Sequence, residues 1–434
     1  MRLKAGRSIS CGKRPRINQS RGSERTALLI HLLMTYNFDS IIERRSTNSS
    51  KWRKYPPDVL PLWVADMDFA APEPILAALQ KLVEHGIFGY EFPSAELRAT
   101  VAARMQALYG WQVSPEAVVA TPGIVAGFTL AANALCTPGQ GLLVQPPVYP
   151  PFLGVNASVG LVRQDAPLAQ ETFGATLRYA IDFEVFEKAI HSGGAKTGMF
   201  LLCNPHNPTG QAYSKADLAR MADICLKNDI FICSDEIHSE ILLGGTKHFP
   251  IAALSPEIAD RTVTLIAPSK TFNVPGLFCG FAIIPNKALL ERFKKTVECM
   301  AMHVSSPGLA AAQVAFSGVC DEWLAALCAY LRANRDVAVD FIRNEMPGIR
   351  TTVPEATYLA WLDCSELVHS GKISSTPQEF FLNSAKVALN EGRDFGTGGE
   401  GFIRLNFGCP RATLVEALAR MKSAYLALQQ GSSR

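Results

Sequence analysis

The chain reads as an α/β protein, with a large domain built on a mostly parallel sheet between helices and a smaller α+β C-terminal domain. Three observations predict this. Five short apolar runs alternate with helical patterns between residues 117 and 267. Each run closes on a turn rich in Gly, Pro or polar residues. From about Cys320 the pattern changes: a long amphipathic stretch, Trp323 to Glu345, precedes strand-like runs at Thr357 to Leu362 and Gly401 to Phe407 and a last helix from Ala412.

Size supports two domains. At 434 residues, 48% hydrophobic and 19% charged, the chain can bury a large core. The net charge of +3 is uneven, since residues 1–33 hold eight Lys/Arg against one acid, Glu24, which leaves the remainder at about −4. The body is mildly acidic and has no nucleic-acid footprint. Eleven cysteines are scattered without a CxxC pair or a Cys/His cluster at zinc spacing, so no metal site is expected and a reducing cytoplasm is. No apolar run reaches the roughly 18 residues that a membrane span needs. Residues 1–33 are basic and rich in Ser and Gly, with little helical periodicity. They are expected to be a tail outside the folded unit rather than a transit segment. The expected division is an arm over 34–71 that packs with the small domain, a large domain over 72–318 and a small one over 319–434.

In order along the chain, the arm is aromatic and proline-rich and ends in LPLWVADMDFAAPEP, too broken for a long helix. Pro74 to His85 predicts a helix, and GIFGYEFPS follows as a loop carrying Tyr90. A second helix starts at Ser94, with Leu97, Val101, Met105 and Leu108 at helical spacing. Ala117 to Ala120 is a strand followed by Thr121-Pro122-Gly123 and the helical run Ile124 to Leu135. Such a glycine lets backbone N–H groups approach an anion at the helix N-terminus. Gly141 to Gln145 is a strand ending in a proline corner that presents Tyr149. Gly198 to Cys203 ends in NPHNPTG, which holds Asn207 in an extended turn. The next helix opens on Ser214 and Asp217 as a capping box. It leads to the strand Ile230 to Cys233, which ends in Ser-Asp235-Glu-Ile-His238. Val263 to Ala267 ends in Pro-Ser269-Lys270.

In parallel sheets ligands bind beyond the carboxyl ends of the strands. Gly123, Tyr149, Asn207, Asp235 and Lys270 should therefore share one crevice. A pyridine ring carrying a phosphate, a phenolic oxygen and an aldehyde would use them all. Gly123 suits the phosphate, Tyr149 a ring face, Asn207 the phenolic oxygen, Asp235 the ring nitrogen and Lys270 a Schiff base.

The motifs NPHNPTG, SDEIHSE and SKTFNVPGL resemble the class I and II aminotransferase superfamily of pyridoxal-phosphate enzymes, of fold type I. PLWVADMDF, GIFGY, TYLAWLD and GFIRLNFGCPR are similar to its cystathionine β-lyase branch of MalY/PatB type. The resemblance spans roughly residues 35–428. It implies pyridoxal 5′-phosphate as cofactor, with Lys270 as Schiff-base lysine and general base, Asp235 as pyridinium partner and Asn207 on the phenolic oxygen. Tyr149 is implied against the ring and in catalysis, and Gly123, Ile124 and Ser269 around the phosphate. Tyr90 is implied to cross a homodimer interface to the partner's phosphate. Arg404 is implied to bind the substrate α-carboxylate, with Ala65 and Asn207 beside it. Two departures from the general aminotransferase pattern favour the lyases: Phe278 stands where many members carry an arginine eight residues after the lysine, and His238 where many carry a tyrosine.

Competing readings of the residues are simple. Asp235, Glu236 and His238 could suggest a metal cluster, but adjacent residues on a strand point to opposite sides. Arg411 rivals Arg404, yet it lies past the Pro410 turn, whereas Arg404 alternates with Phe402 and Asn406 on one strand face. The glycines over 396–401 suggest a mobile loop. The expected activity is a carbon–sulfur β-lyase acting on L-cystathionine or another cysteine S-conjugate. The alternatives are an aminotransferase acting on an α-amino acid or a regulatory protein on the same scaffold.

Overall fold

The computed structural model describes residues 36–431; the basic stretch 1–33 lies outside them. A seven-stranded sheet forms the centre of the molecule. Its spatial order is Val118–Thr121, Gly280–Ile283, Thr262–Ile266, Phe231–Asp235, Thr197–Cys203, Gly141–Val144 and Val162–Asp165. Only Gly280–Ile283 runs antiparallel to its neighbours. The inner strands Gly141–Val144, Thr197–Cys203 and Thr262–Ile266 are buried along their whole length, as their largely apolar runs suit in a sheet covered on both faces. On one side Phe128, Leu130 and Ala131 of the helix Ile124–Leu135 pack with Leu142, Val144 and Met199. On the other, Leu218, Met221 and Cys225 of Lys215–Lys227 meet Leu143, Phe200 and Ile232.

Helix starts follow the sequence with two differences. Ser94 Oγ accepts from Leu97 N–H and caps Ala95–Tyr109, but Leu108 faces solvent, and the buried stripe is Leu97, Val101 and Met105. Ser214 Oγ accepts from Asp217 N–H, but the Asp217 carboxylate turns to that same hydroxyl rather than to the Ser214 N–H, so only half of the capping box forms.

A second, six-stranded sheet has the order Asn390–Glu391, Phe402–Asn406, Leu359–Asp363, Arg350–Thr352, Thr176–Ala180 and Ala169–Phe173. Its last two strands are a hairpin from the middle of the chain, with Thr176–Ala180 parallel to Arg350–Thr352. The hairpin thus falls within residues 72–318 yet joins the C-terminal sheet. Its signal is weak: Ala169–Phe173 is mostly exposed and offers no apolar alternation to read. The arm joins the same body. Leu60–Pro61 pairs in parallel with Val387–Ala388, and Phe38 packs edge-on against Phe69 and Trp323 at 5.2 and 5.7 Å. The helix Asp321–Glu345 carries Trp323 and Tyr330 into this core. No single helix among the described residues is long and apolar enough to cross a membrane.

Candidate active site

The carboxyl ends of the central strands open into a cleft of about 320 Å³. Gly123, Ile124, Tyr149, Asn207, Asp235, His238, Ser269, Lys270, Ala65 and Arg404 all line it, so the residues singled out from the sequence meet there, Tyr90 excepted. Tyr90 is 98% exposed, in a loop with the exposed Ile87, Phe88 and Phe92, beside Val304 and Pro307.

One end of the cleft is a helix N-terminus. Gly123 adopts φ 98°, a conformation that a residue with a Cβ rarely takes, and no side chain caps the helix that it starts. The Ile124 end of the helix dipole therefore points into the cleft beside Ser269. Lys270 sits on the short helix Pro268–Thr271 directly after its strand. Its Nζ donates to Ala65 O, and burial pulls its ammonium down to about 8, against the opposing charges of Asp66 and Asp235. Asp235 accepts from Ile237 N–H. Burial pushes its carboxyl up to about 7, and no cation of the described chain stands within ion-pair distance of it. A protonated ring nitrogen would supply the missing charge. Glu236 points the other way, to Ser234 and His248, so the two acids share no ion. His238 is buried edge-on to Tyr358, and burial lowers it to about 3, which keeps it neutral.

Arg404 is the cation of the opposite wall. It is 3% exposed, and NH1 donates to Asn207 Oδ1 at 3.0 Å while NH2 donates to Trp63 O at 3.0 Å and Asn390 Oδ1 at 2.6 Å. Its guanidinium carbon lies 5.1 Å from the Phe395 ring centroid. All these partners are uncharged, Nε has none, and burial lowers the group to about 10, still a full cation at neutral pH. Arg411 is occupied elsewhere, by Asn334 Oδ1 and by the face of Tyr330.

Sequence reasoning missed Asn390, Phe395 and Tyr358. Asn390 and Phe395 come from a two-residue strand and a short 3₁₀ turn that no periodicity marks. Tyr358 is fully buried, and its hydroxyl donates to Ala65 O at 2.9 Å. Several of the glycines after Phe395 sit where backbones or side chains come close. A Cβ on Gly399 would lie 2.0 Å from Gly392 O, and Phe395 O is pinned by Val148 N–H.

The model of the family "Aminotransferase class I and II" matches residues 57–421. The chain belongs to this family. It is 40% identical over 394 residues to cystathionine beta-lyase PatB of Bacillus subtilis, with 89% of this chain and 99% of that protein aligned. Among solved structures, cystalysin from Treponema denticola, which contains a pyridoxal 5′-phosphate cofactor, matches with TM-score 0.84 at 30% identity, covering 91% of this chain and 99% of that one. The PLP-bound C–S lyase from Staphylococcus hominis matches with TM-score 0.83 at 32% identity, covering 90% and 98%. The fold-type I architecture expected of this family is the one described above, and the resemblance to its MalY/PatB branch is borne out by these relatives.

Proposed function

We propose that the chain is a pyridoxal-5′-phosphate-dependent carbon–sulfur β-lyase acting on L-cystathionine or a related cysteine S-conjugate. The observation that carries this is the pairing, in one cleft, of a buried Arg404 without a carboxylate and a Lys270 whose amine is partly neutral near pH 8. The names of the relatives, and Phe278 at the cleft mouth in place of an arginine, favour the lyase over an aminotransferase.

The donor set fits the cofactor. The uncapped turn at Gly123 and Ile124 with Ser269 suits its phosphate, Asn207 its phenolic oxygen, Tyr149 its ring face, and Asp235 its ring nitrogen. The orphaned Nδ1 of His238 adds a polar atom beside them. Bound there, the cofactor supplies an electron sink next to the substrate's Cα. Arg404 offers a fork for the α-carboxylate and fixes which Cα bond faces Lys270. Lys270 takes the Cα proton. The Cβ–S bond then breaks, the proton taken from Cα balancing the one the departing thiolate gains, and water hydrolyses the aminoacrylate that is left, so the products are a thiol, pyruvate and ammonia.

Incubation with cystathionine, and separately with an amino acid and keto acid pair, tests the reading. Thiol and pyruvate should appear in equal amounts from cystathionine without added keto acid. Keto-acid-dependent amino transfer with no thiol or pyruvate would overturn the lyase.

Homodimerisation is part of this reading. Ile87, Phe88, Tyr90 and Phe92 form an exposed apolar loop of the kind that marks an interface, and Tyr90 then reaches the partner's phosphate. Tyr90→Phe is expected to weaken cofactor affinity about tenfold, the worth of one hydrogen bond to a charged group. Titration of the visible absorbance against cofactor concentration reads it, and unchanged affinity would remove Tyr90 from the site. We also place the chain in the cytoplasm, where the unpaired cysteines of the described residues remain reduced. The lobe over 72–318, less its hairpin, holds the cofactor, and the C-terminal lobe with the arm holds the substrate carboxylate.

A further inference from the structure

Residues 63–68 of the arm, Trp-Val-Ala-Asp-Met-Asp, cross the cleft as a strap held by its backbone. Arg404 takes Trp63 O, and Asn406 Nδ2 takes Val64 O and Asp66 O at 2.7 and 2.8 Å. Lys270 and Tyr358 share Ala65 O, while Asn273 brackets Met67 through its N–H and carbonyl. The charged side chains at the strap form a partly buried cluster, with Lys51 and Asp68 inside and Arg44 and Asp66 half-buried. Asp68 is fully partnered by Arg44, Lys51 and Trp52. Asp66 is not. Its Oδ2 pairs with Arg44 at 2.5 Å, but its Oδ1 is buried without a hydrogen bond, with Lys51 Nζ 3.9 Å away. A carboxylate oxygen left bare inside a protein is costly unless another charge uses its field.

We propose that Asp66 is a positioning residue for Lys270: clamped under the strap, it leaves one carboxylate oxygen uncommitted, one residue away from the carbonyl on which the lysine amine rests, and so governs how readily that amine carries a proton. The reading rests on the site assignment above. The charges that bear on Lys270 from its surroundings are Asp66 and Lys51 from the arm, Asp235 from its strand, and Arg404 from the second sheet. Asp66 and Asp235 hold the proton on, while Arg404, Lys51 and burial drive it off. Asp235 is committed to the ring nitrogen, which leaves Asp66 as the anion free to set the balance. Too weak a hold would make Lys270 a poor base, and too strong a hold would leave it protonated and idle at neutral pH.

The test is the pH midpoint of the visible absorbance of the full chain loaded with cofactor, read without substrate, where the titrating atom is the same Lys270 nitrogen once it is joined to the cofactor and the field of Asp66 acts on it in the same sense. Asp66→Asn, which keeps an acceptor for Arg44, should move the midpoint down by about one pH unit. Asp66→Glu should restore it, and Lys51→Met should move it up. A structural role alone would leave the midpoint in place or shift both neutralised variants in the same direction. Either result would overturn the proposal, as would an upward shift in Asp66→Asn. If Asp66→Asn fails to fold, Lys51→Met decides: no upward shift overturns it. Because no substrate enters the measurement, the outcome is independent of whether the chain proves to be a lyase or an aminotransferase.

Discussion

Lys270→Ala is expected to lower kcat by about 10⁴-fold, the upper end of what one positioned proton-transfer group contributes, and to abolish the visible absorbance of the cofactor-loaded protein. The two losses have separate origins. The first is the missing base at the substrate's Cα; the second is the missing amine that holds the cofactor covalently. Folding should survive, because Lys270 Nζ makes one hydrogen bond, to a carbonyl that Tyr358 still satisfies. Stopped-flow kinetics and an absorbance scan on the same sample read both effects. Turnover retained at more than a few per cent would show that the base lies elsewhere and would overturn the site assignment.

Arg404→Met is expected to cost about 10²- to 10³-fold in kcat/KM, corresponding to a charge-assisted, two-pronged contact worth about 3–4 kcal/mol. The same variant should not lose stability in proportion. A guanidinium that is 3% exposed with only neutral partners is a burden on the fold, so its removal should leave the melting temperature unchanged or higher. That divergence separates a substrate-binding arginine from a structural one. Repeating the kinetics with a substrate analogue lacking the α-carboxylate closes a cycle: it should react poorly with the native chain and suffer no further loss with the variant. A full additional loss would place Arg404 in packing rather than recognition.

The sequence was most informative where chemistry and periodicity coincide. The runs leading to Gly123, Asn207, Asp235 and Lys270 are apolar apart from Thr264 and each closes on a turn, so strand and site residue were legible together. Arg404 could be told from Arg411 by strand alternation, and the structure places them apart for that reason. What escaped reading works through the backbone. Ala65 was expected at the site, but not that its carbonyl would receive Lys270 and Tyr358, and Asn273, at φ 55°, spends its side chain on the backbone of Met67 and Phe69, which no residue pattern announces. The hairpin 169–180 was missed because Ala169–Phe173 is mostly exposed and carries no hydrophobic alternation, which left the short alternation of Leu177 and Tyr179 in its second strand without a partner to pair with. The close backbone approach at Gly392 and Gly399 also escaped reading, because composition alone does not show where backbones must touch.

The strap over residues 63–68 also bears on how the chain reaches its final form. Its carbonyls are taken up by Arg404 and Asn406, and the preceding Leu60–Pro61 pairs with Val387–Ala388, more than 320 positions later. A segment made early by the ribosome thus meets its partners in the second sheet only when nearly all of the chain has emerged, although Lys270 and Asn273 are available sooner. The central sheet can assemble before then, since its strands end at Ile283. The wall of the cleft that carries Asn390, Phe395 and Arg404 is therefore the last to be made. A chain cut short after the large sheet should still bring Ala65 O to Lys270 yet bind no substrate carboxylate.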